Sequence, residues 1–404
     1  LAGKIILHPN PAVPLQGDAR NAAYALLSAL LVSLFFVNGA ASNAIAIIAF
    51  VAAWVLIVRD HRAGSLTMPP LNPVLLVFAI IISLRILLPP YGVTGAPPGA
   101  AITRILLLVG LYGLTLYVYT RLPFSHILWM IVSAAALCAL AAIFAHMVIG
   151  HESRLEFFGR ASHAIAGAGA IATGVTAAAA LLFAAPSQDR TKWGILSLLG
   201  SMALLVAALY FTGSRGPILA LSVALIATPL ALRCRLPWLL IALAFGAWCL
   251  VSSFVLLEVP IKEALCPYVD LACRPSKRND VWQATAQLIA QHPLWGSGYA
   301  FRFTQGVTHA HNAYLGMALH YGVPLLLLFI ALMATALYQA AQIASAQTKF
   351  FVASTLVFAN GYMGSDLSDP MRFFNTHYLF LWFPLFVALL SVKSDNGVAP
   401  TPRE

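Results

Sequence analysis

The residues with the most chemistry in them form one short stretch, His309-Ala310-His311-Asn312-Ala313-Tyr314. Imidazole titrates near neutral pH, so either histidine could take a proton from a reacting hydroxyl. Two histidines at i and i+2 are also a weak metal-ligand pattern. No carboxylate lies within ten residues on either side, so no metal site is expected. Asn312 can cap a helix that starts there. With His309 and Tyr314 it is a candidate for substrate contact.

A second set is cationic. In Phe211-Thr212-Gly213-Ser214-Arg215-Gly216-Pro217, glycine and proline make a tight turn that fixes Arg215. A guanidinium held this way suits bidentate grip on phosphate, with snorkelling toward headgroups as the plainer alternative. Arg278 follows Ser276 and Lys277 at the start of an expected helix, where free N–H groups also favour anions. Arg154 and Arg160 share a short segment with His151 and His163. Lys277, Arg154 and Arg160 are candidate substrate contacts. Asp366 and Asp369 are too. For each, capping of the last helix is the first expectation and orienting an arginine or imidazole the second.

These groups must be positioned by membrane helices. The chain has 404 residues, 61% of them hydrophobic and 9% charged, against about 25% charged in soluble domains. Roughly twelve apolar runs approach the length of a span, at 22–38, 43–58, 73–89, 101–120, 125–149, 164–185, 194–212, 217–232, 237–257, 312–343, 350–364 and 373–392. The expected fold is an all-α integral membrane protein, one polytopic domain over 1–404. No stretch reads as a cleaved signal peptide, so the chain is expected to be mature sequence.

Arg59, Arg62, Arg121, Arg190, Lys192, Arg233, Arg235 and Lys349 fall in alternate connections, which are therefore expected in the cytoplasm. The opposite side carries the candidate residues, with Arg85 and Arg104 at the outer ends of two spans. The net charge of +10 is scattered between spans, a poor match to nucleic acid. Gly322-Val323-Pro324 should break the tenth run. One broken span is expected, with a re-entrant half-helix as the competitor. The one long loop, 258–311, should be partly helical, with Val281, Trp282, Thr285, Leu288 and Ile289 on one face. Cys266 and Cys273 lie in it, and a disulfide between them is left open. Cys138, Cys234 and Cys249 lie in or beside apolar runs.

The ordered set of motifs over roughly 200–390 resembles the O-antigen ligase family, which shares a C-terminal region with O-antigen polymerases and bacterial protein O-oligosaccharyltransferases. The carriers are Ser214-Arg215-Gly216, the long loop with Arg278, His292-Pro293-Leu294-Trp295-Gly296-Ser297-Gly298, and His311-Asn312 ahead of Gly322. Pro324-Leu325 departs from relatives that have a second glycine. The resemblance implies a membrane glycosyltransferase of GT-C-like architecture in the bacterial inner membrane. It would move a glycan from undecaprenyl pyrophosphate to a sugar hydroxyl of lipid A–core on the periplasmic face, with no cofactor. His311 would be the base. Arg215 and Arg278 would meet the charge of the leaving group, in a single inverting displacement. A polymerase or protein O-oligosaccharyltransferase would use the same donor. A twelve-span flippase is the reading from another class, and the clustering of charge at one face disfavours it.

Overall fold

The computed structural model describes residues 17–88, 98–149, 154–184, 191–234, 236–257, 278–301, 303, 309–371 and 374–391. Among these there is no strand. The helices are α1 (Gly17–Phe35), α2 (Gly39–Arg62), α3 (Pro73–Leu87), α4 (Pro98–Arg121), α5 (Phe124–Ile149), α6 (Ala164–Phe183), α7 (Lys192–Phe211), α8 (Arg215–Cys234) and α9 (Pro237–Leu256). Then come α10 (Arg278–Gln291), α11 (Ala313–Tyr321), α12 (Val323–Gln342) and α13 (Ala346–Met363), and α14 (Tyr378–Leu390), which opens with a π turn. Their starts follow local chemistry. Asn72, Thr191 and Ser345 cap α3, α7 and α13, and proline occupies the first turn of α3, α9 and α12.

Each apolar run of the sequence is largely helical over its described residues. Among the described residues, seven helices, α2, α4, α5, α6, α7, α8 and α12, are long and apolar enough to cross a membrane. This is a multi-pass membrane protein. Helix α13 is the inner element, packed by α6, α8, α9 and α12 and buried from Phe350 through Met363. Helix α6 is alanine-rich and buried over most of its length. Small side chains let these helix backbones approach closely where lipid gives no hydrophobic drive. The three described ion pairs between elements, Arg121–Asp60, Arg104–Asp369 and Arg278–Asp366, each join ends that the loop charges assign to one side.

The tenth apolar run is two helices. Gly322 has φ 91°, a conformation that a side chain strongly disfavours. The Leu294 carbonyl also presses where its Cβ would sit. The backbone of the 292–298 stretch holds the break. Val323 N–H donates to the Pro293 carbonyl at 2.7 Å, Ser297 N–H to Leu319 O at 2.6 Å, and Gly298 N–H to His320 O at 3.1 Å. Two motifs far apart in sequence are thus one joint, and the break expected at Gly322-Val323-Pro324 is present. Helix α10 lies over this region, with Val281, Trp282 and Thr285 buried. Ser276, Lys277, Cys266 and Cys273 lie outside the described residues.

Candidate active site

The site is organised by the turn after α13, Gly364-Ser365-Asp366. Asp366 is buried, and one carboxylate oxygen accepts from the Arg278 guanidinium at the start of α10. The other accepts from Ser365 Oγ at 2.7 Å. From a third direction comes the start of α8. A Cβ on Gly216 would collide with Ser365 Oγ and Asp366 Oδ2, so glycine is what lets the Arg215 turn reach this carboxylate. Arg154 holds the same turn from behind. Its Nε donates to the Thr212 carbonyl at 2.7 Å and its Nη2 to Ser214 Oγ at 2.8 Å. Arg215 is half-buried as the first residue of α8.

Asn312 ties the histidine stretch to the same turn. Its Nδ2 donates to the Gly364 carbonyl at 3.1 Å. Its Oδ1 accepts from Tyr314 N–H at 3.0 Å and Leu315 N–H at 3.1 Å, capping α11. Arg278 and the chain neighbours of Arg215 and His311 therefore meet three consecutive residues, which span no more than about 8 Å of Cα trace. Trp282 of α10 fixes the approach to the stretch by donating to the Ala310 carbonyl at 3.0 Å.

His311 is the residue under strain. Its φ of 50° makes it the one described non-glycine residue in the left-handed region, a conformation uncommon for any side chain though less so for histidine. Its ring stands edge-on to that of His309, with centroids 3.9 Å apart. Its Nδ1 is enclosed and has no hydrogen-bond partner. Burial, and then the nearby His309, Arg278 and His163, lower its pKa to about 3. The imidazole is thus neutral at working pH, with its Nδ1 unmet. Among the described residues, no three His, Cys, Asp or Glu side chains cluster as a metal site would require.

Residues 200–330 match the family model described as O-Antigen ligase. This region belongs to the O-antigen ligase family. No curated protein matches the chain. The O-antigen ligase region contains Arg215, Arg278, His309, His311, Asn312, Tyr314 and the Gly322 break. Asp366, which meets Arg278, and Asp369 lie beyond it.

The other candidates divide. Arg160 faces away, bonded to Ser42 Oγ at 3.1 Å, the Gly39 carbonyl at 2.8 Å and Asn43 Oδ1. It joins its segment to the start of α2. Tyr314 is buried, its hydroxyl donating to Asn360 Oδ1 at 2.5 Å and its ring against Trp248. It anchors α11 to α13 within the core. The capping expectation for the two aspartates is overturned. Helix α14 starts beyond both, and each carboxylate meets an arginine instead. Asp369 faces Arg104 at 3.5 Å, with Oδ2 accepting from Tyr321 OH at 3.2 Å and Oδ1 from Met371 N–H at 2.8 Å. The sequence reading missed Gly364 and Ser365, which carry no charge. It placed His163 only within a basic segment, although its charge reaches His311.

Proposed function

We propose that the protein is an O-antigen ligase. It transfers a glycan from undecaprenyl pyrophosphate to a sugar hydroxyl of lipid A–core on the periplasmic face of the bacterial inner membrane. The observation that carries this reading is the meeting of Arg278 and the Arg215 turn on Asp366, beside a neutral, unpartnered His311. A pyrophosphate leaving group needs cationic donors where its charge develops, and Arg215 and Arg278 supply them without a metal. His311 takes the acceptor hydroxyl proton. The acceptor oxygen bonds to the anomeric carbon as the bond to pyrophosphate breaks, and the displaced electron pair leaves on undecaprenyl pyrophosphate.

In a single displacement the anomeric centre inverts. Asp366 holds Arg278 in place and Asn312 aims His311 from the helix start. Arg154 sets the Arg215 turn, while His309 packs against the base, and Lys277, adjoining Arg278, adds a further cation for the donor phosphates.

The test uses the full chain in nanodiscs with lipid-pyrophosphate-linked glycan. It offers three acceptors: lipid A–core, a glycan repeat unit on the same lipid carrier, and a peptide. Transfer to lipid A–core, abolished in His311→Ala, is the expected outcome. Product only on the repeat unit or the peptide makes the chain a polymerase or a protein O-oligosaccharyltransferase. Normal transfer by His311→Ala removes the proposed base.

A further inference from the structure

A second cationic centre lies at the other end of α11, outside the machinery assigned above. Arg85, in the last turn of α3, stands over the face of Trp295, its guanidinium carbon 4.8 Å from the ring centroid. Arg104 of α4 stands over Tyr299 in the same way at 5.0 Å. The two aromatic residues are four positions apart in the stretch after α10, so both cations lie against one short segment. The only described carboxylate paired here is Asp369, whose oxygens already accept from Tyr321 OH and Met371 N–H. No described carboxylate pairs with Arg85. Arg85 Nε is enclosed with no hydrogen-bond partner, and Arg104 meets Asp369 through Nη1 at 3.5 Å. Enclosed guanidinium N–H groups left unmet are costly unless a ligand completes them.

The surroundings define that ligand. Next to Arg85, α3 exposes Ile81, Leu84, Leu87 and Leu88, and Trp295 is 61% exposed beside it. An aromatic residue at a cation, with an apolar helix face below, is the pattern of a membrane–water boundary. An anion bound here is joined to lipid tails, and the planar donor fork selects phosphate.

The position separates it from the reacting pyrophosphate. Helix α11 has nine residues, so its ends are about 13 Å apart. His311 precedes one end, and the Asp369–Tyr321 contact marks the other. A pyrophosphate at Arg215 and Arg278 cannot also engage Arg85. A phosphate about one helix length away belongs to the second substrate, with its sugar extending toward His311.

We infer that Arg85 and Arg104 form an anion subsite for a phosphate group on the membrane-embedded acceptor glycolipid. This rests on the ligase reading. The subsite sets acceptor affinity and register, and it favours phosphorylated over unphosphorylated acceptor.

The experiment measures binding separately from transfer. Full-length protein in phosphatidylcholine nanodiscs is titrated with lipid A–core, either phosphorylated or treated with phosphatase. Wild type is expected to bind the phosphorylated form about tenfold more tightly. Arg85→Gln should lose that preference, and Arg85→Lys should keep part of it because the charge remains. Arg104→Gln carries a folding risk through Asp369, so Arg85 decides the matter. Equal binding of both forms by wild type, or an unchanged preference in Arg85→Gln, overturns the inference. Replacing part of the phosphatidylcholine with phosphatidylglycerol separates the two phosphate sources. Loss of the preference there means that a bulk headgroup occupies the site, which also overturns it, whereas persistence supports it. Arg85-dependent binding without any transfer to lipid A–core sinks the ligase reading and leaves the subsite standing. Transfer with no Arg85-dependent preference does the reverse.

Discussion

Helix α11 has a carboxylate–guanidinium pair near each end, and the two pairs leave different groups unsatisfied. At the start of the helix, Asp366 meets Arg278, and Nδ1 of His311 is among the groups left without a partner. At the far end, Asp369 already accepts from Tyr321 and Met371, and the unmet groups include guanidinium N–H donors. One end offers a proton acceptor beside a strained backbone. The other offers donors on aromatic faces. A site that moves a proton and a site that holds an anion need these opposite deficits.

The strongest way to break this comparison is to remove the acceptor. His311→Ala should lower transfer by about 10²- to 10⁴-fold, the usual contribution of a positioned base, and leave glycolipid binding in place. A steady-state assay with both substrates reads this directly. An equal loss from His309→Ala would show that the ring pair, and not His311, is the acceptor.

The next contrast sets the two carboxylates against each other. Asp369→Asn breaks a buried ion pair and weakens two further bonds, and should cost about 1–3 kcal/mol of stability, read as a lower melting temperature. Asp366→Asn should instead show mainly in transfer, because it frees Arg278 from the position in which it meets the donor. If both variants lose stability equally and neither loses transfer, the functional difference between the ends disappears.

Gly216→Ala sharpens the reason why Arg215 belongs to the first end. The added Cβ meets Ser365 and Asp366, so about 1–3 kcal/mol of overpacking and a displaced Arg215 turn are expected. Gly200→Ala is the control. It lies inside α7, with nothing near its Cβ position, and should be neutral or stabilising by up to about 1 kcal/mol. Identical behaviour of the two would remove the close approach from the argument.

Helix positions were legible in the sequence because apolar length and caps act locally. The break at Gly322 could be read from Gly322-Val323-Pro324, though the Pro293 and Leu294 carbonyls that hold it could not. Arg215, Arg278 and His311 stood out as polar residues at span ends. Their convergence did not, since it depends on Gly364, Ser365 and Gly216, which carry no charge and act through backbone and close contact. Arg160 misled for the same reason in reverse. Its charge suggested a ligand, but the described partners include a carbonyl and two small polar side chains on α2.

The pH response tests the imidazole itself. In the substrate-free protein, His311 is held neutral by burial and by the neighbouring His309, Arg278 and His163, with a pKa of about 3. The unfolded value is near 6.5, so its contribution to stability is full above that pH and is lost as pH falls from about 6.5 toward 3. The kcat/KM profile reports the free enzyme and should show no acid limb from His311 above about pH 5. Pyrophosphate brought against Arg278 screens one of the charges that depress the imidazole and adds negative charge of its own. The pKa must then rise, toward the range where a base works best. The kcat profile, which reports the loaded enzyme, should therefore carry its acid limb at higher pH than kcat/KM does. Coincident limbs would mean that donor charge never reaches His311, and the base would then have to be sought elsewhere along the turn.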